Sequence, residues 1–253
     1  MLTTWPSPGQ AVSDAEALHL HGSRYIGLRT RFYDDQLLAA AQQKVLQVVL
    51  LGAGLDARAF RLSLPPKLTI FEIDQPEVLD WKDGVLRGRG TEPRCQRMSI
   101  GLDLRDDWPS ALKAFGFDES SPVAWIAEGL LPYLSPEDQS KLLERMSECS
   151  APTSTLAFDR IAGDVTAGGR AERLAKRSGI QMDHLLSSGE ADDPRAFLEA
   201  SGWQTDERSA DQIAAQYKRD LRDPFSTSQA EAAVEPPWFT TTFLTARLRP
   251  DAS

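Results

Sequence analysis

The stretch that decides the fold is KVLQVVLLGAGLDA, residues 44–57 of the 253-residue chain. Its first part, 44–51, is an almost unbroken apolar run, which is typical of a strand buried on both faces of a parallel sheet. The glycine turn Gly52-Ala53-Gly54 follows at once, and residues 56–63 can form a helix behind it. A strand, a glycine turn and a helix in this order predict a site for an anionic ligand group at the helix N-terminus.

Strand and helix signals alternate along the rest of the chain. Further strands are predicted at 68–74, 94–104, 122–130, 153–160, 202–208 and 238–248. Helices are predicted at 14–21, 30–43, 75–88, 108–115, 136–149, 194–200 and 209–218. This order predicts an α/β fold with a doubly wound, mostly parallel, seven-stranded sheet. The last strand follows a loop and not a helix, so we expect it to be antiparallel.

Composition excludes several classes of protein. The chain has 28 Lys and Arg residues against 37 Asp and Glu, a net charge of −9, which disfavours a nucleic-acid partner. Its 2 cysteines and 3 histidines are scattered, so we expect neither a disulfide framework nor a metal site. The longest apolar stretch, 48–55, is far shorter than the ~20 residues of a membrane helix. With no secretory signal visible, we predict a cytoplasmic protein without a membrane partner.

Acidic residues follow the next strands. Asp74 ends the second strand, 20 residues after Gly54, and could bind two ribose hydroxyls. Asp103 and Leu104 follow the third strand and could meet an adenine through polar and apolar contacts. Glu128 follows the fourth. Because ligands of such sheets bind at the carboxyl ends of the strands, we expect these residues to share one site.

The glycine turn and Asp74 leave two cofactors open. Gly52, Gly54 and Ala57 satisfy the G-x-G-x-x-G/A pattern of an NAD(P)-dependent oxidoreductase. S-adenosyl-L-methionine also has a ribose and an anionic group, and it needs no third glycine. Acids at two further strand ends suit its cationic sulfonium, and no Tyr-x-x-x-Lys pair is present for an oxidoreductase. Asp56 is either a helix N-cap or part of the site.

Five blocks in order are RTRFYDDQL (29–37), VVLLGAGLDARAFRL (48–62), FEIDQPEVLDWK (71–82), DLRDDWPSAL (103–112) and AEGLLPYLSPEDQ (127–139). Together they resemble the leucine carboxyl methyltransferase superfamily, and more narrowly its actinobacterial branch of S-adenosyl-L-methionine-dependent O-methyltransferases. LEASGW (198–203) and TTFLTARL (241–248) are similar too, so the resemblance covers about residues 24–248.

The resemblance implies a class I methyltransferase fold, which is Rossmann-like, with S-adenosyl-L-methionine as cofactor. It implies that Arg29 binds the methionyl carboxylate, with Arg31 as the alternative. The implied cofactor-binding residues are Arg29, Gly52, Ala53, Gly54, Asp74, Gln75, Asp103, Leu104, Glu128 and Gly129.

The chain is expected to form a single methyltransferase domain over 1–253, as a monomer or a homodimer. We expect residues 1–43 to be a helical cover, 44–160 the cofactor-binding core, 161–192 a substrate-side insertion and 193–253 the rest of the core. Only 28 residues precede Arg29, fewer than the resemblance implies, and this leaves the substrate class open.

The expected reaction is methyl transfer to an oxygen of a small-molecule acceptor, with a carboxylate as first hypothesis and a phenol as second. A carboxylate is ionised at neutral pH and needs no base, and no His-Asp pair lies near the predicted strand ends. Candidates for an acceptor-side or catalytic role are Tyr133, Arg160 and His184. A catalytically silent relative that only binds the donor is a further alternative.

Overall fold

The computed structural model describes residues 14–161, 193–219, 221 and 241–250, with side chains from residue 23 onward. Its helices are α1 (Asp14–Gln42), α2 (Arg58–Arg61), α3 (Pro76–Gly88), α4 (Trp108–Ala114), α5 (Pro136–Glu148), α6 (Pro194–Ala200) and α7 (Ala210–Gln216). Its strands are β1 (Gln47–Leu51), β2 (Thr69–Asp74), β3 (Gln96–Gly101), β4 (Val123–Ala127), β5 (Thr155–Ile161), β6 (Trp203–Ser209) and β7 (Thr241–Leu248). Most of the predicted insertion 161–192, with His184, lies outside the described residues.

The strands form one seven-stranded sheet in the order β3-β2-β1-β4-β5-β7-β6. Strands β1 to β5 pair in parallel, whereas β7 runs antiparallel to both β5 and β6. The predicted fold class, including the antiparallel last strand, is therefore confirmed. The chain order reverses between β1 and β4, and such a switch point is where open α/β sheets place their ligands.

Two apolar layers explain why the central strands read as continuous apolar runs. In β1, Val48 and Leu50 face a core that includes α1 and α7, while Val49 and Leu51 face a core that includes α4, α5 and α6. Every residue of β4 is buried. A strand covered on both faces has no solvent side, so its sequence does not alternate.

The first helix differs from the prediction of two helices at 14–21 and 30–43. The structure has one helix of 29 residues, α1. Gly22 and Gly27 lie between the two predicted helices and lower the local helix propensity. However, Tyr25, Leu28 and Phe32 are spaced three and four apart and are all buried, so their packing stabilises the helix across the glycines.

Several other elements are shorter than predicted. The helix predicted at 56–63 is the single turn α2, because Leu62 is already extended ahead of two prolines. The strand predicted at 122–130 ends at Ala127, since Gly129 has φ +64° and a 3-10 turn, Leu131–Tyr133, follows. Within the described residues, every helix is too short or too polar to span a lipid bilayer.

Candidate cofactor site

The glycine turn after β1 is joined directly to the acid that ends β2. Gly54 donates its backbone N–H to Oδ2 of Asp74 at 2.6 Å, and Gln75 donates its own to Oδ1 at 2.7 Å. Gly52 adopts φ +65°, a left-handed conformation that favours glycine. A Cβ there would lie 3.1 Å from Cδ1 of Leu130 and would crowd the turn. The glycine turn and Asp74, which the sequence indicated as separate features, are therefore hydrogen-bonded to each other.

The acid after β3 lies at the same edge of the sheet. Nε2 of Gln75 donates to Oδ2 of Asp103 at 2.8 Å. The side chain of Arg105 donates to both Asp103 oxygens, from Nε at 2.9 Å and from Nη2 at 2.5 Å. These hydrogen bonds hold the pKa of the Asp103 carboxyl well below its usual range. Leu104 packs against the apolar core beside it.

The acid after β4 connects this edge to α1. Oε1 of Glu128 accepts from Nε of Arg29 at 3.0 Å, and Oε2 lies 2.8 Å from Nη2 of Arg58. Burial alone would lower the pKa of Arg29, but Asp159 and Glu128 outweigh it and raise that pKa. Arg29 stays protonated and is the cation that α1 contributes to the strand ends.

The structure distinguishes the two candidate arginines of α1. Residues two apart on a helix point about 200° apart. The side chain of Arg29 is 23% exposed and faces Glu128, whereas that of Arg31 is 66% exposed and pairs with Asp35 one turn along the helix. Only Arg29 of the two points into the candidate site.

Sequence reasoning missed Asp159, a buried carboxylate on β5. It accepts hydrogen bonds at Oδ1 from the hydroxyl of Tyr33 at 2.6 Å and from the backbone N–H of Gly129 at 2.7 Å. Burial raises the pKa of its carboxyl, while Arg29 and the two hydrogen bonds act in the opposite direction. The sequence signal for Asp159 is an acid inside the apolar run TLAFDRI, but only its neighbour Arg160 is among the predicted candidates.

A second missed residue is Arg58, which is only 3% exposed. Its Nε donates to Oδ1 of Asp34 at 2.8 Å, and its Nη1 hydrogen-bonds to Asp56. Asp56 also accepts the backbone N–H of Arg58 at 2.6 Å and so supports the start of α2, but the N-cap of that helix is Ala57, and Asp56 is part of the cavity wall. Together with the Glu128 contact, these bonds tie α1, the glycine turn and the end of β4 to one guanidinium.

A cavity of about 460 Å³ lies between α1 and the glycine turn. Its wall includes Arg29, Arg58, Glu128, the glycine turn and the apolar side chains of Ile26 and Leu55. Asp74 and Asp103 are not part of this wall and continue the same edge along the ends of β2 and β3. An elongated ligand could place a charged end in the cavity, beside Arg29 and Glu128, and a ribose beside Asp74.

The three residues predicted for an acceptor-side or catalytic role do not lie together in the described structure. Tyr133 is 54% exposed on the turn after β4. Arg160 alternates away from Asp159 on β5, and its Nε donates to Oε1 of Glu207 at 2.9 Å. His184 lies outside the described residues. In the part of the chain that is described, no group of three or more His, Cys, Asp or Glu is arranged to hold a metal ion.

Replacing Gly129 by alanine tests how closely Arg29 is held. Gly129 has φ +64°, and a Cβ there would lie 2.9 Å from Nη1 of Arg29. We expect G129A to lose about 1–2 kcal/mol of stability through backbone strain. It should also bind S-adenosylhomocysteine, the demethylated form of the cofactor that the resemblance implies, several-fold more weakly, because the guanidinium must move.

Gly90→Ala is the matched control, since Gly90 has φ +60° and nothing within 4 Å of its Cβ position. Urea unfolding should show a similar loss for both variants, and calorimetry should show weaker binding for G129A alone. Equal affinities would mean that the position of Arg29 does not matter for binding.

Comparisons with known proteins identify the class. The fold matches the structure of a protein described as a "putative methyltransferase" from Thermobifida fusca, with a TM-score of 0.59, 20% identity and coverage of 92% of this chain and 83% of that one. A DUF574 family protein from Streptomyces avermitilis gives a TM-score of 0.60 at 18% identity, over 93% and 86% of the two chains. The chain also matches the leucine carboxyl methyltransferase family model and a 41% identical relative described as an S-adenosyl-L-methionine-dependent methyltransferase, so it is an enzyme of that class with a Rossmann-like fold.

The sequence comparisons give the family. The leucine carboxyl methyltransferase model matches residues 4–147, and the chain belongs to that family. A "Putative S-adenosyl-L-methionine-dependent methyltransferase" of Saccharopolyspora erythraea is 41% identical over 212 residues, 83% of this chain and 74% of the relative. One from Mycolicibacterium smegmatis is 41% identical over 198 residues, 76% of this chain and 65% of the relative.

Proposed function

We propose that this protein transfers the methyl group of S-adenosyl-L-methionine to an oxygen of a small molecule, with a carboxylate as the first candidate acceptor. The observation that carries the proposal is the hydrogen bond between the ends of β1 and β2, in which the backbone N–H of Gly54 donates to the Asp74 carboxylate at 2.6 Å. This bond places an acid suited to ribose hydroxyls beside a turn that leaves room for a ligand.

The residues at this edge fit the parts of the donor. We assign the donor's carboxylate to Arg29 and its amino group to Glu128. The ribose hydroxyls are assigned to Asp74, and the adenine side to Gln75, Asp103 and Leu104. The backbone of Gly52, Ala53, Gly54 and Gly129 would border the ligand, since a larger residue would crowd the site at Gly52 and Gly129.

The protein's own contribution to the reaction is binding and positioning. S-adenosyl-L-methionine, when bound, supplies a methyl group that is already activated by its sulfonium. Arg29, Glu128 and Asp74 would hold the two ends of the ligand, and Leu130 and Leu55 border the turn with apolar surface. Such orientation and exclusion of water are the main sources of rate enhancement when no bond needs prior activation.

A carboxylate acceptor is favoured over a phenol because it needs no general base. In the described part of the chain, no histidine lies at the carboxyl ends of the strands. A phenol has a pKa near ~10 and would benefit from a base. The family name, leucine carboxyl methyltransferase, supports the same choice. Tyr133, which is exposed on the turn after β4, is the stronger candidate for acceptor contact, because a carboxylate at Arg160 would compete with Glu207.

The chemistry of the product tests the acceptor class. We expect incubation with methyl-labelled S-adenosyl-L-methionine and a panel of small carboxylic acids and phenols to label a carboxylic acid. A methyl ester would release labelled methanol on mild alkaline hydrolysis. A product whose label survives this treatment would be an ether and would favour the phenol. A chain that binds the donor but labels neither class would fit a catalytically silent relative.

A further inference from the structure

Asp159 is a deeply buried carboxylate near the candidate site, with 3% of its surface exposed. Its Oδ1 accepts two hydrogen bonds, from Tyr33 at 2.6 Å and from the backbone of Gly129 at 2.7 Å. Its other oxygen, Oδ2, lies 3.9 Å from Nη1 of Arg29. A carboxylate with two fixed donors on one oxygen cannot rotate freely, so its charge has a fixed position under Arg29.

The donors to Asp159 are themselves rigid. Tyr33 has no exposed surface, and its ring packs edge-to-face on Phe32 with centroids 5.1 Å apart. Burial raises the pKa of Tyr33 well above its usual value, so the hydroxyl keeps the proton that it donates. Gly129 is held in the turn after β4, where it has φ +64°. Asp159 therefore links α1 to this turn through groups that do not move easily.

The Arg29 guanidinium is constrained from three directions. Glu128 accepts from its Nε at 3.0 Å, and Asp159 faces its Nη1 at 3.9 Å. The missing side chain of Gly129 provides the space that the same Nη1 occupies, since a Cβ there would come within 2.9 Å. Two acids thus engage two of the three guanidinium nitrogens and set the plane of the group.

We propose that Asp159 is a positioning residue for donor recognition, which orients Arg29 toward the carboxylate of the methionyl part of S-adenosyl-L-methionine. This rests on the proposed function, in which Arg29 binds that carboxylate. Preorganisation of this kind lowers the cost of binding, because the guanidinium does not have to be ordered when the ligand arrives. Asp159 acts through Arg29 and does not itself contact the adenosine part of the donor.

The test uses two ligands that differ in the part Arg29 is assigned to bind. S-adenosylhomocysteine carries the amino acid portion, whereas 5′-methylthioadenosine has the adenosine and the thioether without it. We expect calorimetry to show that Asp159→Asn weakens S-adenosylhomocysteine binding by about 10-fold or more, since a charged partner of Arg29 is lost. Its affinity for 5′-methylthioadenosine should stay within about twofold of the wild type.

Two further variants make the result specific. Glu207→Gln is the matched acid-to-amide control, because Glu207 on β6 pairs with Arg160 on β5, on the other side of β7, and both affinities should be unchanged. Tyr33→Phe removes one hydrogen bond to Asp159 while keeping the packed ring, and it should weaken S-adenosylhomocysteine alone by a few-fold. It also serves as the test if Asp159→Asn fails to fold.

The positioning role would be overturned if Asp159→Asn bound both ligands more weakly to the same extent. It would also be overturned if the variant bound both ligands as tightly as the wild type. Failure of the wild-type chain to bind S-adenosylhomocysteine at all would contradict the proposed function itself, and with it the premise of this role.

Discussion

Replacing Arg58 by methionine is expected to lower the free energy of unfolding by about 3–5 kcal/mol, the usual cost of breaking a buried ion pair from one side. Arg58 is 3% exposed and pairs with Asp34, Asp56 and Glu128. Methionine fills a similar volume but leaves these carboxylates with fewer partners. Arg61 and Arg29 still contact Asp34 and Glu128, so the greatest loss should be at Asp56.

Urea unfolding followed by circular dichroism measures this effect. For a domain of this size, the expected loss corresponds to a Tm decrease of roughly 6–20 °C. Arg31→Met is the matched control, because Arg31 is 66% exposed, pairs with Asp35 within α1 and otherwise lies over the ring of Tyr217 at the surface. It should change stability by less than about 1 kcal/mol and leave donor binding intact. If the two variants unfold alike, the Arg58 cluster is not a stabilising element.

Replacing Asp74 by alanine is expected to reduce the affinity for S-adenosylhomocysteine by about 100-fold or more. Asp74 is assigned to the ribose hydroxyls, and hydrogen bonds to a charged group contribute about 1.5–3 kcal/mol each. Each 1.4 kcal/mol corresponds to about a tenfold change. The substitution also removes the acceptor that holds the N–H groups of Gly54 and Gln75, so the turn itself loses support.

The control for Asp74 is Asp80→Ala, which removes the same charge from an exposed position on α3. Its affinity should equal that of the wild type, which would exclude a general effect of net charge. Unfolding curves for both variants separate lost binding from lost stability. An Asp74→Ala protein that is folded and binds S-adenosylhomocysteine normally would remove the ribose assignment.

The fold could be predicted because its signals are local. The apolar run before Gly52 is long enough for one buried strand, and acids at strand ends are visible in the sequence. The glycine turn, Asp74, Asp103 and Glu128 therefore reach one edge of the sheet as soon as the strands are known to be parallel. The two-helix prediction for α1 was wrong because the buried side chains of Tyr25, Leu28 and Phe32 stabilise a single helix across Gly22 and Gly27.

The missed residues depend on contacts between distant parts of the chain. Tyr33 and Asp159 are 126 residues apart, and Arg29 and Glu128 are 99 apart. A single sequence shows an acid within a strand but not the tyrosine that buries it. Arg58 likewise resembles any arginine near a helix start until α1 brings Asp34 to it. The resemblance to a family indicated Arg29, while its supporting residues needed the structure.

The central claim, a donor site for S-adenosyl-L-methionine at the joined strand ends, is tested most directly by calorimetric titration of the full chain. S-adenosylhomocysteine and NADH are titrated in parallel. We expect saturable, micromolar binding of S-adenosylhomocysteine and no binding of NADH. Binding of NADH without S-adenosylhomocysteine would contradict the assignment of the glycine turn and Asp74 to the methyl donor.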